Sequence, residues 1–273
     1  MKDVCLSFIN YILDTFDSLV GQVLAILSYD CFSSGDSYVG GMYTLAQSVK
    51  SIVMPIALII ITIIFLIEFL KITIQMDILK WEYGLKVFFK FVFAKVAIDV
   101  SATLMSAIYA TASEWISGVG SSSSTLGATA GVLIKNEIQS YGTLKCLGLM
   151  LSASVMFLVV IASAIIMNVI AYARVFEIMV YISVSPLPCA FLPAERSRIT
   201  VKFFCGFAGV CLQGVFMAIS IKMYVMLCNT ILTNIAAGSS VWNVIYNLVI
   251  GSVVCLMAVI KSGQWANKIF DAV

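Results

Sequence analysis

The sequence predicts an all-α protein, a polytopic transmembrane helical bundle of about five spans with a proline-broken re-entrant segment and an N-terminal amphipathic helix. Three observations predict it. Hydrophobic residues make up 62% of the 273-residue chain and charged residues 11%, against about 25% charged in an ordinary soluble domain. The apolar residues fall in runs long enough to cross a hydrocarbon core, separated by polar segments. Three of the four prolines, followed by basic residues, crowd into SPLPCAFLPAERSRITVKFF, Ser185 to Phe204, between two such runs.

The first element covers residues 4–28, where Leu6, Ile9, Leu13, Phe16, Val20, Val23 and Leu27 recur at alternating steps of three and four and share one helical face. Asn10, Asp14, Asp17 and Gln22 interrupt the apolar residues, so it is expected not to span. Two readings stay open: a helix lying on the membrane or on its own bundle, and a helix whose Leu6, Leu13 and Phe16 pack against a neighbouring subunit. Its polar face is acidic, which argues against attraction to anionic lipid. With the turn-rich loop DCFSSGDSYVGG it forms an extracytoplasmic region, 1–45, ahead of a transmembrane domain, 46–273. No charged start followed by a short apolar run and a cleavage site suggests a removable signal peptide.

The spans follow. Ser51 to Leu70 is long enough to cross, with Pro55 expected in its first turns, where proline costs little. The second runs from Val87 to Ala112 and carries Lys90, Lys95 and Asp99. A glycine- and serine-rich segment that includes Ser121 to Ser124 reads as a flexible linker. The third span is Cys146 to Val169, with helix continuing toward Ile182, and the last two are Phe203 to Leu232 and Val241 to Ile260.

Lysine and arginine set the orientation, because segments rich in them stay cytoplasmic. An outer N-terminus and a cytoplasmic C-terminus put Lys71, Lys80, Lys86, Lys90, Arg174, Arg196, Arg198 and Lys202 inside, leaving Lys2, Lys50, Lys135 and Lys145 outside. Only two crossings then fit between Lys80 and Arg196, so residues 175–193 are expected to be re-entrant, broken at Pro186, Pro188 and Pro193. Pro186 and Pro188 disfavour helix for Ser185 and Leu187, and the freed carbonyls need protein or a water-lined cavity to satisfy them. A sixth full span ending in a proline turn is the competing reading.

No catalytic constellation is present: the chain has no histidine, no GxSxG, no Walker A and no GxGxxG between strand and helix, so an enzyme is not expected. No metal or cofactor site is expected either, bound phospholipid being the exception the membrane setting allows. Lys95 and Asp99, four apart on one helical face, form either a self-satisfied pair that fixes packing or an ion path. The second choice supports the alternative function, a small-molecule or ion transporter, although no internal repeat accompanies it. Gly206, Gly209 and Gly214 mark a helix that another backbone can approach, within the bundle or from a neighbouring copy. Gly127 and Gly131 form a GxxxG outside any span. Of the eight cysteines, Cys5, Cys31 and Cys146 fall outside, and a Cys31 to Cys146 bridge would tie the first span to the third.

An apolar run ending in SPLPCAFLPAERSR and followed by a long glycine-containing helix resembles the core of the TrbL-like polytopic proteins of bacterial conjugation machines, which belong to type IV secretion systems. The organisation is similar from Ser51 to Ile260, and the sequence-specific part lies in Val175 through Gly214. The resemblance implies an inner-membrane channel or scaffold subunit that assembles as a homo-oligomeric ring, five copies being the count it suggests. Its implied partners are the lipid bilayer, other secretion subunits including cytoplasmic ATPases, and a transferred DNA-relaxase complex; separately, the charges of Arg196, Arg198 and Lys202 on the inner side are expected to dock a cytoplasmic partner.

Overall fold

The computed structural model describes residues 2–32, 39–75, 81–120, 142–193, 198–236 and 241–271. Within those residues the chain is helical throughout: α1 Lys2–Ser28, α2 Gly40–Gln75, α3 Trp81–Gly120, α4 Thr143–Val184, the short α5 Pro186–Cys189, α6 Arg198–Ala236 and α7 Val241–Asp271. The Ser121 to Ser124 linker and Gly127 and Gly131 lie outside the described residues.

Among the described residues six helices are long and apolar enough to cross a membrane by length and composition, with mean hydropathy from 1.3 for Asn10–Ser28 to 2.8 for Gly40–Lys71. Five correspond to the expected spans. The sixth is the body of α1, where Asn10, Asp14, Asp17 and Gln22 dilute the apolar residues without bringing hydropathy down to that of a soluble helix. The helices also outrun the apolar stretches that announce them. α4 has 42 residues, about 63 Å at 1.5 Å per residue. Hydropathy marks only the part of a helix that faces hydrocarbon, and nothing in the flanks of α4 stops it until Pro186.

Pro55 shows the same effect. It was expected in a first turn, but α2 begins at Gly40 and encloses it. There it removes the N–H that would bond the Ser51 carbonyl, a cost of about 3 kcal/mol in a helix interior that the packing of α2 must offset.

The chain forms two compact units. One contains 1–29, 113–173 and 213–266. In it Val20, Val23 and Leu27 of the α1 stripe are buried, and the rings of Phe8 and Tyr11 meet Phe157 of α4 edge-on, with centroids 6.5 and 6.4 Å away. At these residues α1 lies on its own bundle. α6 and α7 meet closely here: a Cβ on Gly251 would stand 2.8 Å from the Tyr224 ring, and one on Gly263 3.3 Å from Gln213. The Tyr224 hydroxyl donates to the Leu248 carbonyl at 3.2 Å.

The other unit contains 30–112, 174–212 and 267–273. Its core joins Ala57 and Ile61 of α2, Ala94 and Ile98 of α3, and Cys189 and Ala190 at the end of α5, with Phe91, Leu192 and Phe204 around them. Small residues at Ala57, Ala94 and Ala190 let the three elements meet closely, and Phe65 and Phe91 close the side with ring centroids 4.8 Å apart.

Candidate functional site

The candidate features of the second unit are the proline break, a buried arginine and one face of α3. Residues 175–193, expected as a single broken element, divide in two. Val175 to Val184 continue α4 without interruption, and the break is confined to Ser185 through Pro193. The backbone there does not leave the helical region as expected: Ser185 has φ −51° and ψ −32°, and Leu187 lies inside α5. Proline lacks the N–H that would continue the ladder, so the chain turns tightly with bonds to the third residue back, Phe191 N–H to Pro188 and Leu192 N–H to Cys189, both 3.2 Å.

The carbonyl that Pro186 leaves without its usual partner belongs to Ile182. The Ser185 hydroxyl donates to it at 2.9 Å, joined by the Ser185 N–H at 3.4 Å. The Thr200 hydroxyl of α6 donates to the Pro188 carbonyl at 2.6 Å. Ser101 of α3 and Ser185 place their hydroxyl oxygens 3.3 Å apart, either able to donate. Ser101, Ser185, Thr200, Pro186, Pro188 and Pro193 are all buried. Protein rather than solvent satisfies the break, and it is thereby fastened to α3 and α6.

Arg174 enters the unit from α4 and is 2% exposed. Its Nε donates to the Val210 carbonyl at 3.0 Å and its Nη2 to the Cys211 carbonyl at 3.3 Å, both on α6. Tyr109, Cys211, Cys31 and Glu177 are the ionisable groups within electrostatic reach. Among the described residues it forms no ion pair. Sequence reasoning counted Arg174 only as a positive charge on the inner side. Its acceptors are backbone carbonyls, which leave no mark in a sequence. Burial pushes the Cys31 thiol up from its ordinary value, against the opposing effects of the Tyr109 hydroxyl bonded to it and of Arg174.

α3 carries three distinct faces. Ala94, Ile98, Ser101, Met105 and Tyr109 are buried. Phe89, Phe93, Val96, Val100 and Leu104 form an exposed apolar row. Between these faces run Lys95, Asp99 and Thr103, all exposed, and half-buried Ser106. The expected self-satisfied pair is not formed: no ion pair joins Lys95 to Asp99 among the described residues, whereas Lys71 and Glu68 do pair at 3.4 Å. A lysine preceding an acid by four residues is the weaker of the two orientations, and both side chains point outward. A charge at the centre of a spanning helix costs about 2.5 to 3.5 kcal/mol on insertion scales when lipid surrounds it.

Other candidate residues are placed as follows. Gly206 and Gly209 accommodate side chains of the same chain rather than another backbone: added Cβ atoms would stand 2.9 Å from the Tyr181 hydroxyl and 3.1 Å from the Asn267 amide oxygen. Arg198 and Lys202 are exposed on the first turns of α6, and Arg196 lies outside the described residues. The side chains of Leu6, Leu13 and Phe16 lie outside the described residues as well. Cys31 and Cys146 are buried free thiols, so the expected bridge between them is not formed.

The family described as TrbL/VirB6 plasmid conjugal transfer like protein matches residues 23–186, more than half of the chain. The chain belongs to this family. As a TrbL/VirB6 family member it is a multi-pass membrane component of conjugal transfer, type IV secretion, machinery. The matched stretch ends at Pro186 and so meets only the first part of the Val175 to Gly214 region that carries the sequence resemblance. It takes in Lys95, Asp99, Ser101 and Arg174 of this TrbL/VirB6 family member and leaves out Thr200, Arg198 and Lys202. No curated protein matches the chain, and no solved structure does.

Proposed function

We propose that the chain is a channel or scaffold subunit of a conjugative secretion machine, assembling as a homo-oligomeric ring in the cytoplasmic membrane through which, or past which, DNA or protein is transferred. The observation that carries this reading is the family match over residues 23–186. The outward charges of α3 support the assembly part, because a chain surrounded only by lipid would leave Lys95 and Asp99 in hydrocarbon. The lysine and arginine bias supports an outer N-terminus and a cytoplasmic C-terminus. In that orientation Arg198 and Lys202 offer a basic, exposed surface to cytoplasmic partners, among them the ATPases of the machine. The family match does not favour the transporter reading.

Purification from host membranes in mild detergent, with crosslinking beforehand, tests the proposal. The expected result is a discrete oligomer that brings other secretion subunits with it. A monomer, both in detergent and in crosslinked membranes, contradicts the ring.

A further inference from the structure

We propose that the row Lys95, Asp99, Thr103 and Ser106 on α3 lines a water-filled path through the membrane in the assembled protein. This rests on the assembly reading above and goes further, because it says which surface of the chain faces water. The four side chains follow one another at steps of four, four and three, one continuous row on a helix. Asp99 and Thr103 straddle the middle of the apolar stretch Gly84–Val119, so the row lies at depth and not at an interface. Lys95, Asp99 and Thr103 are exposed, and Ser106 is half-buried.

The neighbouring rows exclude the simpler explanations. The row is not core, since the packed face of α3 is the separate series through Ile98 and Met105. It is not the lipid-facing surface either, because Val100 and Leu104, which suit hydrocarbon, form their own exposed row alongside, 48% and 49% accessible. Hydrocarbon offers no hydrogen-bonding partner to the Lys95 ammonium or the Asp99 carboxylate, whereas water satisfies both; the Ser106 hydroxyl donates to the Thr103 carbonyl at 2.9 Å and leaves its lone pairs to the same water. One cation and one anion leave the row without a dominant sign, which suits a path open to polar cargo better than an ion-selective filter, whose rings carry charge of one sign.

Single cysteines at Thr103→Cys and Ser106→Cys, and at Val100→Cys and Leu104→Cys for comparison, test this in membranes containing the full chain. The probe is a charged, membrane-impermeant methanethiosulfonate, with the wild-type protein measuring the background of native thiols. Attack needs a hydrated thiolate, so the first pair should react at least about tenfold faster than the second. Crosslinking in the same membranes reports assembly. Assembled protein in which Thr103→Cys and Ser106→Cys are as unreactive as Val100→Cys and Leu104→Cys overturns the water-lined row and leaves the ring standing. Protein that crosslinks to no second copy overturns the assembly reading and this inference with it, whatever the reactivity.

Discussion

Arg174 holds α4 to α6 through two backbone carbonyls, and a buried cation in that role is costly to bring out of water. Arg174→Ala should lower stability by roughly 2 to 4 kcal/mol, two charge-assisted bonds less the desolvation that the wild type incurs. Arg174→Met, which refills the space without the charge, should recover part of that loss. Thermal unfolding in detergent measures both, and an Arg174→Ala protein as stable as wild type would remove the clamp from the account. Cys31 makes a separate prediction through its raised pKa. The thiol in the unfolded chain, with an ordinary value of 9.0, loses its proton before the buried one does. The folded state then binds more protons, so stability is complete below that value and falls as pH rises through it. A stability series from pH 7 to 10 on wild type and Cys31→Ala should show a steeper alkaline decline in the wild type.

At the scale of elements, the break after α4 and the glycine notches between α6 and α7 decide how closely the helices meet. Thr200→Val removes one donor to the Pro188 carbonyl, which keeps the Phe191 N–H at 3.2 Å, at a cost of about 0.5 to 1.5 kcal/mol; Thr200→Ser should cost less. Gly251→Ala forces a Cβ against the Tyr224 ring and should cost about 1 to 3 kcal/mol. Gly21→Ala meets nothing within 4 Å and should stabilise α1 by roughly 0.5 to 1 kcal/mol. Opposite signs for two identical glycine changes, read as melting temperatures, test the packing directly. These elements show how far the sequence could be read. The spans were legible because an apolar run of that length has few other uses. The proline break was legible in place but not in form, since three prolines announce an interruption without saying that Ser185, Thr200 and short-range bonds keep it helical. The ends of α2 and α4 were not legible, because a helix continues past its apolar stretch wherever no residue stops it. Lys95 and Asp99 were found from their spacing, but spacing alone could not tell a pair that neutralises itself from two charges turned outward.

For the whole molecule, orientation and partnership remain to be measured as expected outcomes. A charged thiol reagent applied to intact cells should label Ser34→Cys and spare Ser197→Cys, because the lysine and arginine bias puts the second inside. Reversing Arg198 and Lys202 to glutamate should leave oligomer size unchanged and reduce transfer, since both charges are exposed and available to a cytoplasmic partner. The central claim is that this TrbL/VirB6 family member is a working part of conjugal transfer, and transfer frequency itself is the most direct measure of it. In a mating assay, a donor deleted for the chain should transfer at the background level, and wild-type protein supplied in trans should restore transfer. Undiminished transfer from the deletion donor would contradict the account.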